Sequence, residues 1–224
     1  MSEARPGETP SDTIYFGDYG PGSTWDARVR QQQAMADDSK ATVALFGDSH
    51  VERFPAVRNY GWQKQWRRSL NLGISGDGTR QMISRVRRGL FDTFKPQKLV
   101  VSVGTNNLNN PSQGGTDAQV QEGIATLVRK LREKLPDTQI VLIGLLPRTT
   151  LGIDRRTKVL NAYMRNSADK GGFVYVDVYD RFVKNPAFNG QVLIGTTSHY
   201  TPRGYESLGR MLTRVIFPGA YLGP

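Results

Sequence analysis

Apolar residues gather in five short runs, each closed by small polar residues and followed by a longer stretch with helical spacing. The runs Val43–Phe46, Ser69–Gly73, Lys98–Val103, Gln139–Leu145 and Phe173–Val178 are largely continuous rather than alternating, which predicts strands covered on both faces. Between them, Asp77–Phe91, Asp117–Leu135 and Asp154–Lys170 read as helices, and a last helix is expected from Pro202 to Ile216, with proline suited to its first turn. Ser23 to Asp38 reads as an earlier helix, with Trp25 and Val29 on one face. Strand–helix alternation with right-handed crossovers predicts an α/β chain: a three-layer α/β/α sandwich around a five-stranded parallel sheet, its functional groups at the carboxyl ends of the strands. The Pro/Gly-rich start (1–24) is expected to be an arm carrying Tyr15, Phe16 and Tyr19, with one domain over 25–224.

Composition narrows the chemistry. A chain of 224 residues, 38% of them hydrophobic, can bury a full core, and no apolar run reaches the roughly 18 residues of a membrane span. Without cysteine, disulfides, thiolate catalysis and cysteine-held metal are excluded. The two histidines, His50 and His199, form no His-x-x-x-His pair, so neither a metal nor another cofactor is expected. The first residues lack a signal-peptide pattern, giving a cytoplasmic expectation for the chain as written, or a secreted or periplasmic one if a leader has been removed. The net charge of +10 reads as a solubilising surface or as attraction to an anionic substrate or surface. Arg67, Arg68, Arg80, Arg85, Arg87 and Arg88 are its densest cluster; without interleaved aromatics they do not predict nucleic-acid binding.

Four polar clusters would meet at the sheet's carboxyl rim: Gly47-Asp48-Ser49, Asn71 to Thr79, Gly104-Thr105-Asn106-Asn107, and Ser198 to Tyr205. Each has a plain explanation. Ser49 can cap a helix, Gly76 and Asn106 can form turns, and His199 can be an ordinary loop histidine. Together they supply what acyl transfer needs: a hydroxyl nucleophile, a base, and hydrogen-bond donors for an oxyanion. His50, adjacent to Ser49 on a helix start, points about 100° away from it, which leaves His199 as the candidate base. The Ser49 and Gly76 N–H groups and the Asn106 amide are candidate donors. A dinucleotide-binding reading is weak, because Gly73, Gly76 and Gly78 fall in the wrong order for that fingerprint.

These four blocks, with His199-x-Thr201-x-x-Gly204-Tyr205 as the last, resemble those of the SGNH (GDSL-type) hydrolases. Within that family the chain is most similar to the subgroup of intracellular platelet-activating-factor acetylhydrolase catalytic subunits, through Asn71 to Thr79 and Gly144-Leu-Leu-Pro-Arg148. The resemblance spans roughly 25–216. It implies a flavodoxin-like sheet, Ser49 as nucleophile, His199 as base, and Ser49, Gly76 and Asn106 as the oxyanion hole. It further implies a serine esterase that removes a short acyl group, acetyl, from a small-molecule or glycan oxygen ester, and it is compatible with a homodimer. Trp62 and Trp66 could serve that dimer or the core.

One position departs from the pattern. The family places an aspartate three residues before the histidine, and here that residue is Thr196. Loss of the triad aspartate costs about 10⁴ in kcat in the serine-protease template. Thr196 or a backbone carbonyl could orient His199, leaving a Ser–His dyad; Asp177 or Asp180 could be brought in by the fold; or the site is slow and serves binding of a glycan or acidic ligand. His50 and Tyr200 stand where the subgroup more often has aliphatic residues, and with Thr196 they are candidate pocket residues.

Overall fold

Five strands, β1 (Val43–Gly47), β2 (Leu70–Gly73), β3 (Lys98–Ser102), β4 (Gln139–Ile143) and β5 (Phe173–Val176), form one parallel sheet in the order β2-β1-β3-β4-β5. Register runs Phe46 to Leu72 on one side of β1 and Phe46 to Val101 on the other. The computed structural model describes residues 22–54, 61–109, 115–183 and 199–220. Most of the expected arm therefore lies outside the described residues.

Strand side chains alternate between two cores, as period-two geometry requires. Ala44, Phe46, Leu99, Val101, Ile140 and Leu142 join one core with α3 (Thr79–Arg87), α5 (Asp117–Lys134) and α6 (Leu151–Gly171). Val43, Leu45, Val100, Val141 and Ile143 face the other, closed by Trp66 and by Leu208, Leu212 and Ile216 of α8 (Pro202–Ile216). The expected three-layer sandwich is what forms. Trp66, offered both to the core and to a dimer contact, is buried and donates its indole N–H to Thr213 Oγ1 at 2.8 Å.

β3, β4 and β5 end one or two residues earlier than their apolar runs, because the chain leaves the ladder at the carboxyl rim to build loops, whereas β1 runs one residue further, to Gly47. The helix expected from Asp77 starts at Thr79, since Gly78 is extended at φ −106° and ψ −170° and serves as the cap. The helix expected from Asp154 begins three residues sooner, at Leu151, because Thr150 takes the cap position. That frees the Asp154 carboxylate to accept the Arg148 N–H at 2.9 Å and the Tyr179 hydroxyl at 2.9 Å.

Three short elements escape the sequence pattern: a 3-10 segment (Gly61–Arg68), α4 (Thr105–Asn109) and α7 (Tyr179–Val183). The arginine cluster also changes character. Arg85 is buried, bonds Asp77 and the Leu72 carbonyl at 2.7 Å each, and lies over the Phe46 ring. It is a structural cation, not part of a basic surface. No helix among the described residues is long and apolar enough to cross a membrane.

Candidate active site

β1 feeds directly into α2 (Ser49–Glu52), so Ser49 sits at the sheet's carboxyl rim. Asp48 is the cap: its backbone is extended, and its carboxylate accepts the His50 N–H at 2.9 Å. The short helix is seated on β2 by close backbone approach. A Cβ built on Gly73 would lie 2.1 Å from the Glu52 nitrogen, so only glycine fits there. Asn71 closes the same contact, donating to the Val51 carbonyl at 2.8 Å and accepting from the Gly73 N–H at 2.9 Å.

Gly76, with φ +89°, turns the β2 loop toward α4. The next residue anchors it. The buried Asp77 carboxylate accepts the Trp25 indole N–H at 2.7 Å and Arg85 Nη1 at 2.7 Å, while its carbonyl accepts one Asn106 amide N–H at 2.9 Å. An asparagine amide has a second N–H, which this bond leaves over. Asn107 repeats the link, accepting from the Thr79 N–H and donating to the Thr79 hydroxyl at 3.1 Å each. The Gly76 loop and Asn106 are thus fastened to each other.

His199 arrives from the far end of the chain. Thr201 caps α8, accepting the Gly204 N–H at 3.2 Å, and Pro202 opens the helix. His199 Nε2 stands 2.9 Å from Ser49 Oγ. Its ring packs edge-on against His50, centroids 5.5 Å apart at 79°. Burial foremost, then the neighbouring His50, Arg53 and Arg148, pulls the His199 imidazole down to about 4. It is therefore neutral at pH 7 and able to accept a proton at Nε2.

Asp48 is shifted the other way. Complete burial pushes its carboxyl up to about 7, against the His50 N–H and the Arg148 charge. Among the described residues its Oδ2 has no hydrogen-bond partner, and neither have Nε and Nη2 of Arg148. Burial pulls Arg148 down to about 10, opposed by Asp48 and Asp154.

The structure brings Ser49, His50, His199 and Tyr200 together, and binds Asn106 to the loop holding Gly76. His50 and Tyr200 are both buried, with ring centroids 5.3 Å apart. Thr196 lies outside the described residues. Asp177 is taken up by Arg165 and by the Asp180 N–H, the latter at 3.0 Å. Residue-type reasoning missed Arg53, Arg148 and Tyr205. Arg148 carried a signal, since it follows β4 at the same rim; Tyr205, which donates to the His50 carbonyl at 3.1 Å, carried none beyond its place in the last block. No group of three or more metal-ligating side chains occurs among the described residues.

A parallel α/β sandwich with a serine and an imidazole in hydrogen-bond contact at its carboxyl rim is an architecture of serine hydrolases. The chain belongs to the GDSL-like Lipase/Acylhydrolase family, whose model matches residues 45–206. It is 35% identical over 124 residues to the human platelet-activating factor acetylhydrolase IB subunit alpha1, covering 55% of this chain and 52% of that one. Against the rat alpha2 subunit it is 32% identical over 155 residues, covering 62% and 64%. The matched stretch thus spans about half to two-thirds of the length of these relatives. Among solved structures, a GDSL-like lipase from Bacteroides thetaiotaomicron superposes with a TM-score of 0.68 at 18% identity, covering 86% of this chain and 97% of that one. A mutant acetylxylan esterase from Geobacillus stearothermophilus gives 0.64 at 17% identity, covering 80% and 95%. These likenesses establish the fold.

Proposed function

We propose that this chain is a serine esterase that cleaves a short acyl group, acetyl, from an oxygen ester, with Ser49 as nucleophile and His199 as general base. The observation that carries the reading is the 2.9 Å contact between Ser49 Oγ and His199 Nε2. Family membership supports ester hydrolysis. The acetyl preference draws on the names of the relatives, an acetylhydrolase and an acetylxylan esterase.

His199 Nε2 takes the Ser49 proton as Oγ attacks the acyl carbon, and the carbonyl oxygen becomes an oxyanion. The Ser49 and Gly76 N–H groups and the spare Asn106 N–H are its candidate donors. The imidazolium then protonates the leaving alkoxide, the C–O bond breaks, and the acyl group remains on Ser49. Water, deprotonated by the same nitrogen, releases the carboxylic acid and restores the hydroxyl. The imidazolium formed in each step stands among cations, Arg53 and Arg148, which slows the reaction relative to a site with a carboxylate behind the ring.

Purified chain should release p-nitrophenol from its acetate ester and take up a fluorophosphonate label on Ser49, and Ser49→Ala should abolish both. No turnover and no adduct from the unaltered chain would rule the proposal out and leave the family fold as a binding scaffold for a glycan or acidic ligand. Thr196→Asp separates a detuned esterase, which gains kcat, from one whose histidine is already held.

A further inference from the structure

We propose that His50 is a positioning residue for His199, holding the plane of the base's ring through the edge-on contact between the two imidazoles. The inference rests on reading Ser49 and His199 as nucleophile and base.

His50 is buried, with 6% of its surface exposed, and is gripped from four directions. Its N–H bonds the Asp48 carboxylate at 2.9 Å, and its Nδ1 lies 3.7 Å from the same oxygen. Its carbonyl accepts the Tyr205 hydroxyl at 3.1 Å. The Tyr200 ring meets it at 5.3 Å and 68°. Its ring also meets that of His199 edge-on, 5.5 Å between centroids at 79°. The backbone bonds fix where the side chain starts, and burial against Tyr200 backs its ring, so the imidazole forms a wall against which His199 can settle in one orientation.

Among the described residues, the charged groups that act on His199 are His50, Arg53 and Arg148, none of them a carboxylate. Around His50 stand Asp48, Tyr200 and Tyr205, with Arg148 acting on both Asp48 and Tyr200. Asp48, His50, His199 and Ser49 therefore form a continuous row that ends on the nucleophile, with an imidazole between the carboxylate and the base.

The two-histidine composition makes the test direct, since imidazole NMR should show two residues, and His50→Phe should leave only His199. In the unaltered chain the ¹⁵N shifts of His199 should report one tautomer, with the proton on Nδ1; an even mixture of tautomers overturns the inference even if no variant folds. In His50→Ala, which removes the wall and the neighbouring imidazole, the His199 titration midpoint should move up. Its kcat on p-nitrophenyl acetate should fall at least about tenfold with KM little changed. His50→Phe, which restores an aromatic wall without nitrogens, should recover part of that loss. An unchanged midpoint and unchanged kcat in His50→Ala would overturn the inference. If the midpoint moves while the unaltered chain shows no turnover and no fluorophosphonate adduct, the contact stands and the esterase reading falls.

Discussion

Arg85 and Asp77 form an ion pair at 2.7 Å with neither side chain exposed, and the candidate oxyanion loop hangs from it. Burial raises the Asp77 carboxyl to about 6 despite Arg85, with Trp25 the other donor that favours its charge. Removing one partner of such a pair costs more than the pair is worth, because the other charge is left in the core. Arg85→Met should therefore destabilise the chain by about 3–5 kcal/mol in urea unfolding. The double variant with Asp77→Asn should recover part of the loss, since no unpaired charge remains. Recovery of stability without recovery of turnover would show that the pair also sets the Gly76 loop.

That pair also shows where reading residues in order reaches its limit. The five strands were legible because a sheet covered on both faces writes itself as apolar runs, and Ser49, Gly76, Asn106 and His199 because small polar residues follow those runs. Arg85 looked like a surface cation because its neighbours Arg87 and Arg88 are basic and Asp77, eight residues away, is on another element. Arg148 was legible only as the end of Gly144-Leu-Leu-Pro-Arg148, because the groups that act on it, Asp48, Asp154 and Tyr200, come from three segments. Helix α4 is five residues long, too short for a periodic pattern. Charge pairing across the fold has no local signature, whereas burial of strands does.

The pH profile follows from the shifted groups. A base pulled down to about 4 stays unprotonated to lower pH than an ordinary histidine, so kcat/KM should hold from pH 7 to about 5 and fall near pH 4. Arg148→Met removes one of the cations that depress His199, so its acid limb should move toward higher pH. A limb near pH 6.5 in the unaltered chain would contradict this placement of His199.

Stability should respond with opposite signs in the same window. The native chain takes a proton on His199 only near 4, while the unfolded chain takes it near 6.5, so this group weakens the fold as pH falls between those values. Asp48 and Asp77, raised to about 7 and about 6, bind protons in the native state before the unfolded state does. They strengthen the fold as pH falls from 7 toward their ordinary range. With two groups against one, the melting temperature should hold or rise between pH 7 and 5. Below pH 4 it should drop, as the lowered carboxyls of Asp26, Glu52 and Asp154 become protonated and lose their partners.

Gly73 tests how tightly nucleophile and base are held to one another. An added Cβ there would meet three backbone atoms, Glu52 N at 2.1 Å, Glu52 Cα at 2.5 Å and the Val51 carbonyl carbon at 2.7 Å, none of which can rotate aside. In Gly73→Ala the helix carrying Ser49 must lift from β2, whereas His199 is held by α8 and does not follow. A displacement near 1 Å costs about 10²-fold in a positioned reaction, so kcat should fall by about that factor, with roughly 1–3 kcal/mol lost from unfolding stability. Gly152→Ala is the matching control. It lies in the first turn of α6 with nothing within 4 Å of the added carbon. It should leave turnover unchanged and add up to about 1 kcal/mol of stability through helix propensity. If Gly73→Ala loses stability but keeps its full kcat, then Ser49 and His199 move as one unit, and the seat of α2 on β2 supports the fold without setting the geometry of the attack.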